Sequence, residues 1–132
     1  MKALFAITAA VTLAGPVYAD CSYPPPPAKL PDGNTATMEE MLAAKKAVTQ
    51  YNNDINAYVA CIKLEHETAV STAGDKITPE QKAQMDKIET QKNNAAVDQL
   101  QSVAERFNEQ VRIYKQKNDP NASSSSDSKK KN

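Results

Sequence analysis

The stretch that decides the fold is residues 37–69, TMEEMLAAKKAVTQYNNDINAYVACIKLEHETA. Along this stretch, most of the residues found at every seventh position are apolar. A second series of such residues lies three positions after the first. Seven-residue spacing puts side chains on one side of an α-helix, so we expect a single apolar seam there. Thr37 followed by Glu40 has the pattern of a capping box, which predicts a helix beginning near Thr37. The expected seam consists of Met41, Ala44, Val48, Tyr51, Ile55, Tyr58, Ile62 and Ala69.

A second helix follows a short connection, residues 71–77. Gly74 is expected to adopt a left-handed conformation that ends the first helix. Thr78, Pro79 and Gln81 then provide a cap, a first helical residue and a capping-box partner. The predicted seam of this helix consists of Met85, Ile88, Val97, Leu100, Ala104, Phe107, Val111 and Tyr114.

The short link predicts an all-α fold in which two helices form a long antiparallel hairpin over residues 37–117. Counting outward from Gly74 pairs residues of the two helices. The pairs expected to meet are Ile62 with Ile88, Tyr51 with Val97, and Met41 with Phe107.

The N-terminus reads as a secretory signal peptide, residues 1–19. Lys2 precedes an apolar run from Ala3 to Ala14, and Ala19 has the small side chain that a cleavage site needs. The run is shorter than the ~20 residues that cross a bilayer. We expect cleavage before Asp20, a periplasmic or secreted location, and no stable membrane anchor, because an acidic residue before the cysteine disfavours lipidation.

Cys21 and Cys61 are expected to form a disulfide, because paired cysteines are usual in short exported chains. The arm, residues 20–36, is rich in proline and is expected to run in polyproline II conformation. Its ~40 Å reach matches the ~36 Å from Thr37 to Cys61 along a helix. The tethered arm would cover one side of the hairpin, leaving a shoulder near Val59 and Val103 for a second copy.

Composition limits the function classes. The chain has 16 basic and 16 acidic residues in 132, and loss of Lys2 with the signal peptide leaves the charges nearly balanced. Balanced charge gives no long-range attraction to nucleic acid. Residues 118–132, rich in serine and lysine, are expected to be a disordered tail because they contain almost nothing apolar to bury.

No pattern of residues predicts catalysis, a metal site or a cofactor. His66 is the sole histidine and has no ligand three or four residues away, so we expect it at the surface. Gly15, Gly33 and Gly74 are isolated, which excludes a phosphate-binding loop. The sequence therefore predicts a non-enzymatic protein without cofactors, whose only special residues are the two cysteines.

Parts of the arm and of both helices form a familiar pattern, and the chain resembles a group of small exported proteins of Gram-negative bacteria. The resemblance implies a periplasmic or secreted location and carries no activity. It covers most of the mature chain but not the tail. It rests on Cys21, Leu30-Pro31-Asp32-Gly33, Ala36-Thr37, Glu40-Met41, Val48, Tyr51, Tyr58, Cys61, Ala104, Phe107-Asn108 and Gln110.

These features favour a structural or protein-interaction role in the cell envelope. We expect self-association, with a dimer favoured, or binding to another envelope protein. One alternative is a periplasmic carrier of a small ligand or metal between the hairpin and the arm, with Tyr51, Tyr58 and His66 as nearest polar groups. The other is a secreted effector. Nothing in the residues separates these classes.

Overall fold

The computed structural model describes residues 21–119, and this part of the chain contains two α-helices and no strand. Helix α1 spans Met38–Ala73 (36 residues) and helix α2 spans Pro79–Asn118 (40 residues). A single 3₁₀ turn, Gly74–Lys76, lies between them. The predicted signal peptide and nearly all of the predicted tail lie outside the described residues.

Both helices begin where the capping patterns predict. Thr37 Oγ1 accepts a hydrogen bond from the Glu40 N–H at 3.2 Å, and the Glu40 carboxylate accepts from the Thr37 N–H at 2.7 Å. Thr78 and Gln81 make the same reciprocal pair at 3.2 and 2.9 Å, with Pro79 as the first helical residue. These bonds satisfy N–H groups that a helix start leaves without partners.

Helix α1 ends later than the sequence predicts. The predicted connection, 71–77, includes Ser71 to Ala73, which the structure places in the last turn of α1. Nothing before Gly74 breaks the helix. Gly74 has the expected positive φ of 50°, but its ψ of −133° differs from that of a left-handed cap.

The seam of α1 is confirmed. Six of its predicted residues are buried: Met41, Ala44, Tyr51, Ile55, Tyr58 and Ile62. One cluster packs Tyr51, Ile55, Tyr58 and Ile62 against Ala96 and Val103 of α2, and another packs Met41 and Ala44 against Phe107. The start of α1 therefore contacts the later part of α2, as the predicted pairing of Met41 with Phe107 requires.

The seam of α2 was predicted one position off along part of its length. Its buried residues are Ala96, Val103 and Phe107, whereas Ile88 and Val97 are 43% and 37% exposed. Leu100 and Phe107 belong to the seam as predicted. Between Leu100 and Phe107 the buried residue is Val103. Val103 therefore belongs to the core and not to an uncovered shoulder. Ala96 replaces Val97 opposite Tyr51, where a small side chain leaves room for the aromatic ring.

Candidate functional site

The disulfide between Cys21 and Cys61 attaches the arm to α1. The two Cα atoms are 5.9 Å apart, within the usual range for a disulfide. Cys21 also packs against the larger core cluster. Neither cysteine is left as a free thiol, so the bond is a structural attachment for the N-terminal end of the arm.

Aromatic rings reinforce the attachment. The Tyr23 ring meets the Tyr58 ring edge-on, with centroids 5.1 Å apart.

Tyr51 is only 2% exposed, and its hydroxyl makes no hydrogen bond of normal geometry with the described residues. Burial, with a smaller effect of the neighbouring Tyr23 hydroxyl, raises the pKa of Tyr51 to about 12.

A second attachment holds the arm to α2. The Gly33 N–H donates to Oε1 of Gln110 at 2.8 Å, and the Lys117 ammonium donates to the carbonyl of Asn34. A Cβ at Gly33 would lie 2.3 Å from the Gln110 carbonyl oxygen and 2.8 Å from the Tyr114 nitrogen. The predicted turn at Asp32-Gly33 therefore lies in close contact with the backbone of α2. The sequence indicated the turn, but nothing in it indicated Gln110 as the partner.

An open groove of about 1020 Å³ lies beside this second attachment. Its walls come from the arm, the first turns of α1 and the later part of α2. Tyr51, Tyr58 and His66, the polar groups named in the carrier hypothesis, do not line this groove. The groove is lined instead by Lys29, Leu30, Pro31, Asp32, Asn34, Thr35, Ala36, Glu40, Ala43, Ala44, Ala47, Glu105, Arg106, Glu109, Gln110 and Ile113.

His66 occupies a different position from the one predicted. Its side chain is only 20% exposed, and Nε2 lies 2.7 Å from Oδ1 of Asp86 on the other helix. Lys82 donates to the same carboxylate at 2.9 Å, and this bond, more than His66, holds the pKa of Asp86 below its usual value. Glu65 and Lys92 form a looser cross-helix ion pair at 3.9 Å. Near the connection, the two helices are thus joined by charged and polar side chains as well as by apolar ones.

Within the described residues no set of three or more His, Cys, Asp or Glu side chains is arranged to hold a metal ion. No helix of the described part is long and apolar enough to cross a membrane.

The helix pair has two sides, separated by the seam. On the arm side, Cys61 carries the disulfide, and Arg106 and Ile113 line the groove. Each of these immediately precedes a seam residue. Residues that immediately follow a seam residue, such as Val59 and Ala104, lie on the opposite side, because successive helical residues are about 100° apart.

This opposite side is not covered by the arm. Met38 and Leu42 are 58% and 53% exposed on it, and Val97 is 37% exposed. Residues three, four and seven apart on a helix share a face. By this spacing Lys63 and Lys115 also lie on this side, one toward each end of the helix pair. We call the stretch between these two lysines the uncovered face; it comprises Met38, Leu42, Lys45, Thr49, Asn52, Asn56 and Val59 of α1 and Thr90, Asn94, Val97, Gln101, Ala104, Asn108 and Val111 of α2.

Comparisons with known proteins identify no relative. No protein-family model, no curated protein and no solved structure matches the chain. The resemblance to small exported proteins of Gram-negative bacteria therefore stays a prediction, and a function has to be argued from the two sides of the helix pair.

Proposed function

We propose that the protein is a non-enzymatic helical hairpin, exported to the periplasm or secreted, with a structural or protein-interaction role in the cell envelope. The disulfide supports this location, because such bonds persist in oxidising compartments. The antiparallel hairpin is supported by contacts that join the start of α1 to the later part of α2, and the end of α1 to the start of α2. The arm is attached at both ends.

The uncovered face is the observation that carries the proposed role. It contains one charged side chain, Lys45, among its fourteen residues, whereas 24% of the whole chain is charged. Exposed apolar residues lie on it beside uncharged polar ones. Depletion of charge and enrichment of apolar groups are typical of the centre of protein interfaces. We infer that this face binds a protein, by self-association or through another envelope protein.

Photo-crosslinking in living cells tests the role. A photoreactive residue at Gln101, on the uncovered face, should capture a protein. The matched position is Gln91, also exposed on α2 but outside the face, and it should capture little. Equal capture at both positions, or none at Gln101, would contradict the proposal.

Export is tested separately by the N-terminal sequence of the protein recovered from periplasm and medium. A chain beginning at Asp20 in either fraction agrees with the proposal. An intact N-terminus in the cytoplasm contradicts it. A chain found in the medium rather than the periplasm would favour the secreted effector.

The groove beside the arm favours a second candidate, a carrier of a small ligand. Its volume of about 1020 Å³ is at the upper end of ligand pockets, and it has both alanine side chains and charged groups along its walls. A carrier predicts that a ligand raises the melting temperature, and that filling the groove with Ala47→Phe removes this effect. A ligand effect that survives Ala47→Phe would place binding elsewhere.

A further inference from the structure

We infer that the partner of the uncovered face is a second copy of this chain, so that two hairpins pack face to face. This inference rests on the proposed interaction role and names its partner. The contact is isologous, meaning that both copies contribute the same residues.

The first argument is electrostatic. In an isologous contact a residue of one copy meets a different residue of the other, and only residues near the two-fold axis meet their own copies. A face with few charges therefore brings few like charges together, and like charges inside an interface are costly. The uncovered face carries only Lys45, whose long side chain can reach the rim. The arm side differs, because Glu105, Arg106 and Glu109 line its groove. Of the two sides, the uncovered face brings fewer charges into contact with its own copy.

The second argument comes from the polar residues of the face. Five of them carry amide groups: Asn52, Asn56, Asn94, Gln101 and Asn108. A side-chain amide both donates and accepts hydrogen bonds, so it can pair with an identical group in another copy. A carboxylate surface cannot do so, since carboxylates only accept. The polar groups of the face are therefore complementary to themselves.

The third argument is the thin core. The described residues contain nine buried apolar side chains, and two of them, Ile55 and Ala96, are buried completely. Met38, Leu42 and Val97 remain exposed beside this core. A two-helix unit buries little apolar surface, and helical proteins of this kind reach stability by packing further helices. A second copy would bury these side chains and extend the core to four helices.

The test is the solution mass of the exported, oxidised protein by light scattering across a dilution series. We expect twice the mass of one chain, dissociating on dilution. Ala104→Glu places a carboxylate in the middle of the face and should raise the dissociation constant at least about tenfold, a change of ~1.4 kcal/mol. Ala60→Glu, on the outward side of α1, is the matched control and should dissociate as the parent does. Val97→Glu is a second variant of the face, at a position already 37% exposed. It keeps the test valid if Ala104→Glu fails to fold.

The outcomes separate the two proposals. Weaker association of both face variants, with helix content unchanged, supports the second copy. A parent that stays monomeric overturns it, and capture of a different protein at Gln101 would then leave the interaction role standing. A monomeric parent without capture at Gln101 overturns both. A dimer insensitive to both face variants contradicts the use of this face.

Discussion

At the scale of single residues, Gly33 shows how closely the arm is held to α2. We predict that Gly33→Ala detaches this end of the arm, because its Cβ would lie 2.3 Å from the backbone oxygen of Gln110. The free energy of unfolding should fall by ~1–3 kcal/mol, as for other overpacked sites. The Cys21–Cys61 bond should also be reduced faster by a soluble thiol, since the loosened arm exposes it.

Gly74→Ala is the matched control for this prediction. Gly74 has no neighbouring atom within 4 Å but has a positive φ, so alanine there strains the connection and not the arm. The melting temperature should fall while the reduction rate stays that of the parent. If both variants change the reduction rate equally, the role assigned to Gly33 is wrong.

Tyr51 gives a second prediction at this scale. Its buried hydroxyl lacks a hydrogen bond of normal geometry within the described part of the chain, and such a group is costly to bury. Tyr51→Phe should therefore stabilise the protein by ~1 kcal/mol, at the lower end of the cost of leaving a buried polar group without a hydrogen bond. Tyr58→Phe, on the same helix, is the control and should bring no gain. Thermal unfolding near neutral pH measures both.

The pH dependence of the parent has a definite sign. The pKa of Tyr51 is raised from 10.0 to about 12 in the folded chain, because burial disfavours the phenolate. Below pH 10 the neutral form of Tyr51 therefore makes its full contribution to the free energy of unfolding. This contribution is lost as the pH rises toward 12. Tyr51→Phe should lose less stability than the parent over that window. Parallel losses in the two proteins would show that Tyr51 does not titrate as described.

These residues also show what a pattern can predict. The α1 seam could be predicted because large apolar residues mark nearly every position of it. The orphaned Tyr51 hydroxyl and the position of His66 against Asp86 could not, since both depend on side chains from another part of the chain. Periodicity identifies which side of a helix is buried but not which polar group it meets.

At the scale of elements, α2 is where the predicted packing needed correction. The predicted and the observed seams both alternate spacings of three and four, so periodicity alone cannot choose between them. Valine at position 97 is more apolar than alanine at position 96, so the prediction placed Val97 in the seam. The structure buries Ala96 completely, in the cluster that contains Tyr51 and Ile55 of α1. Ala96 has the smaller of the two side chains and lies among these large residues.

This correction yields a prediction with an adjacent control. Ala96→Leu should destabilise the protein by ~1–3 kcal/mol, because a larger side chain overpacks a site with no exposed surface. Ala95→Leu makes the same change at the neighbouring exposed position, and leucine is a good helix former. It should leave the free energy of unfolding within about 0.5 kcal/mol of the parent. Equal effects in urea unfolding would contradict the corrected seam.

The arm is the second element with a measurable contribution. Cys61→Ser removes a bond that closes a sequence separation of 40 residues, worth ~4 kcal/mol in the chain-entropy model. We expect a large fall in melting temperature, with helical content kept at low temperature because both capping boxes remain. Cys21→Ser should match it, since each variant opens the same loop. A melting temperature equal to that of the oxidised parent would refute the structural role of the bond.

At the scale of the whole molecule, the arm covers one side of the helix pair and not the other. The arm is this chain's own cover for one side, held by a disulfide at one end and by Gly33 and Gln110 at the other. The opposite side has no such cover within residues 21–119, yet the uncovered face on it carries one charged side chain, Lys45, among fourteen residues. Only the assignment of side chains to faces shows where further apolar contacts can be made.

The concentration dependence of thermal stability follows from this asymmetry. If the second copy completes the core, mass action favours the folded dimer, and the melting temperature of the parent should rise with protein concentration. Ala104→Glu should melt lower at high concentration and lose most of this dependence, whereas Ala60→Glu should keep it. Scanning calorimetry over a hundredfold range of concentration measures the effect. A parent whose melting temperature is independent of concentration would mean that one helix pair and its arm are a complete folding unit. The uncovered face would then serve a partner without adding to the stability of the fold.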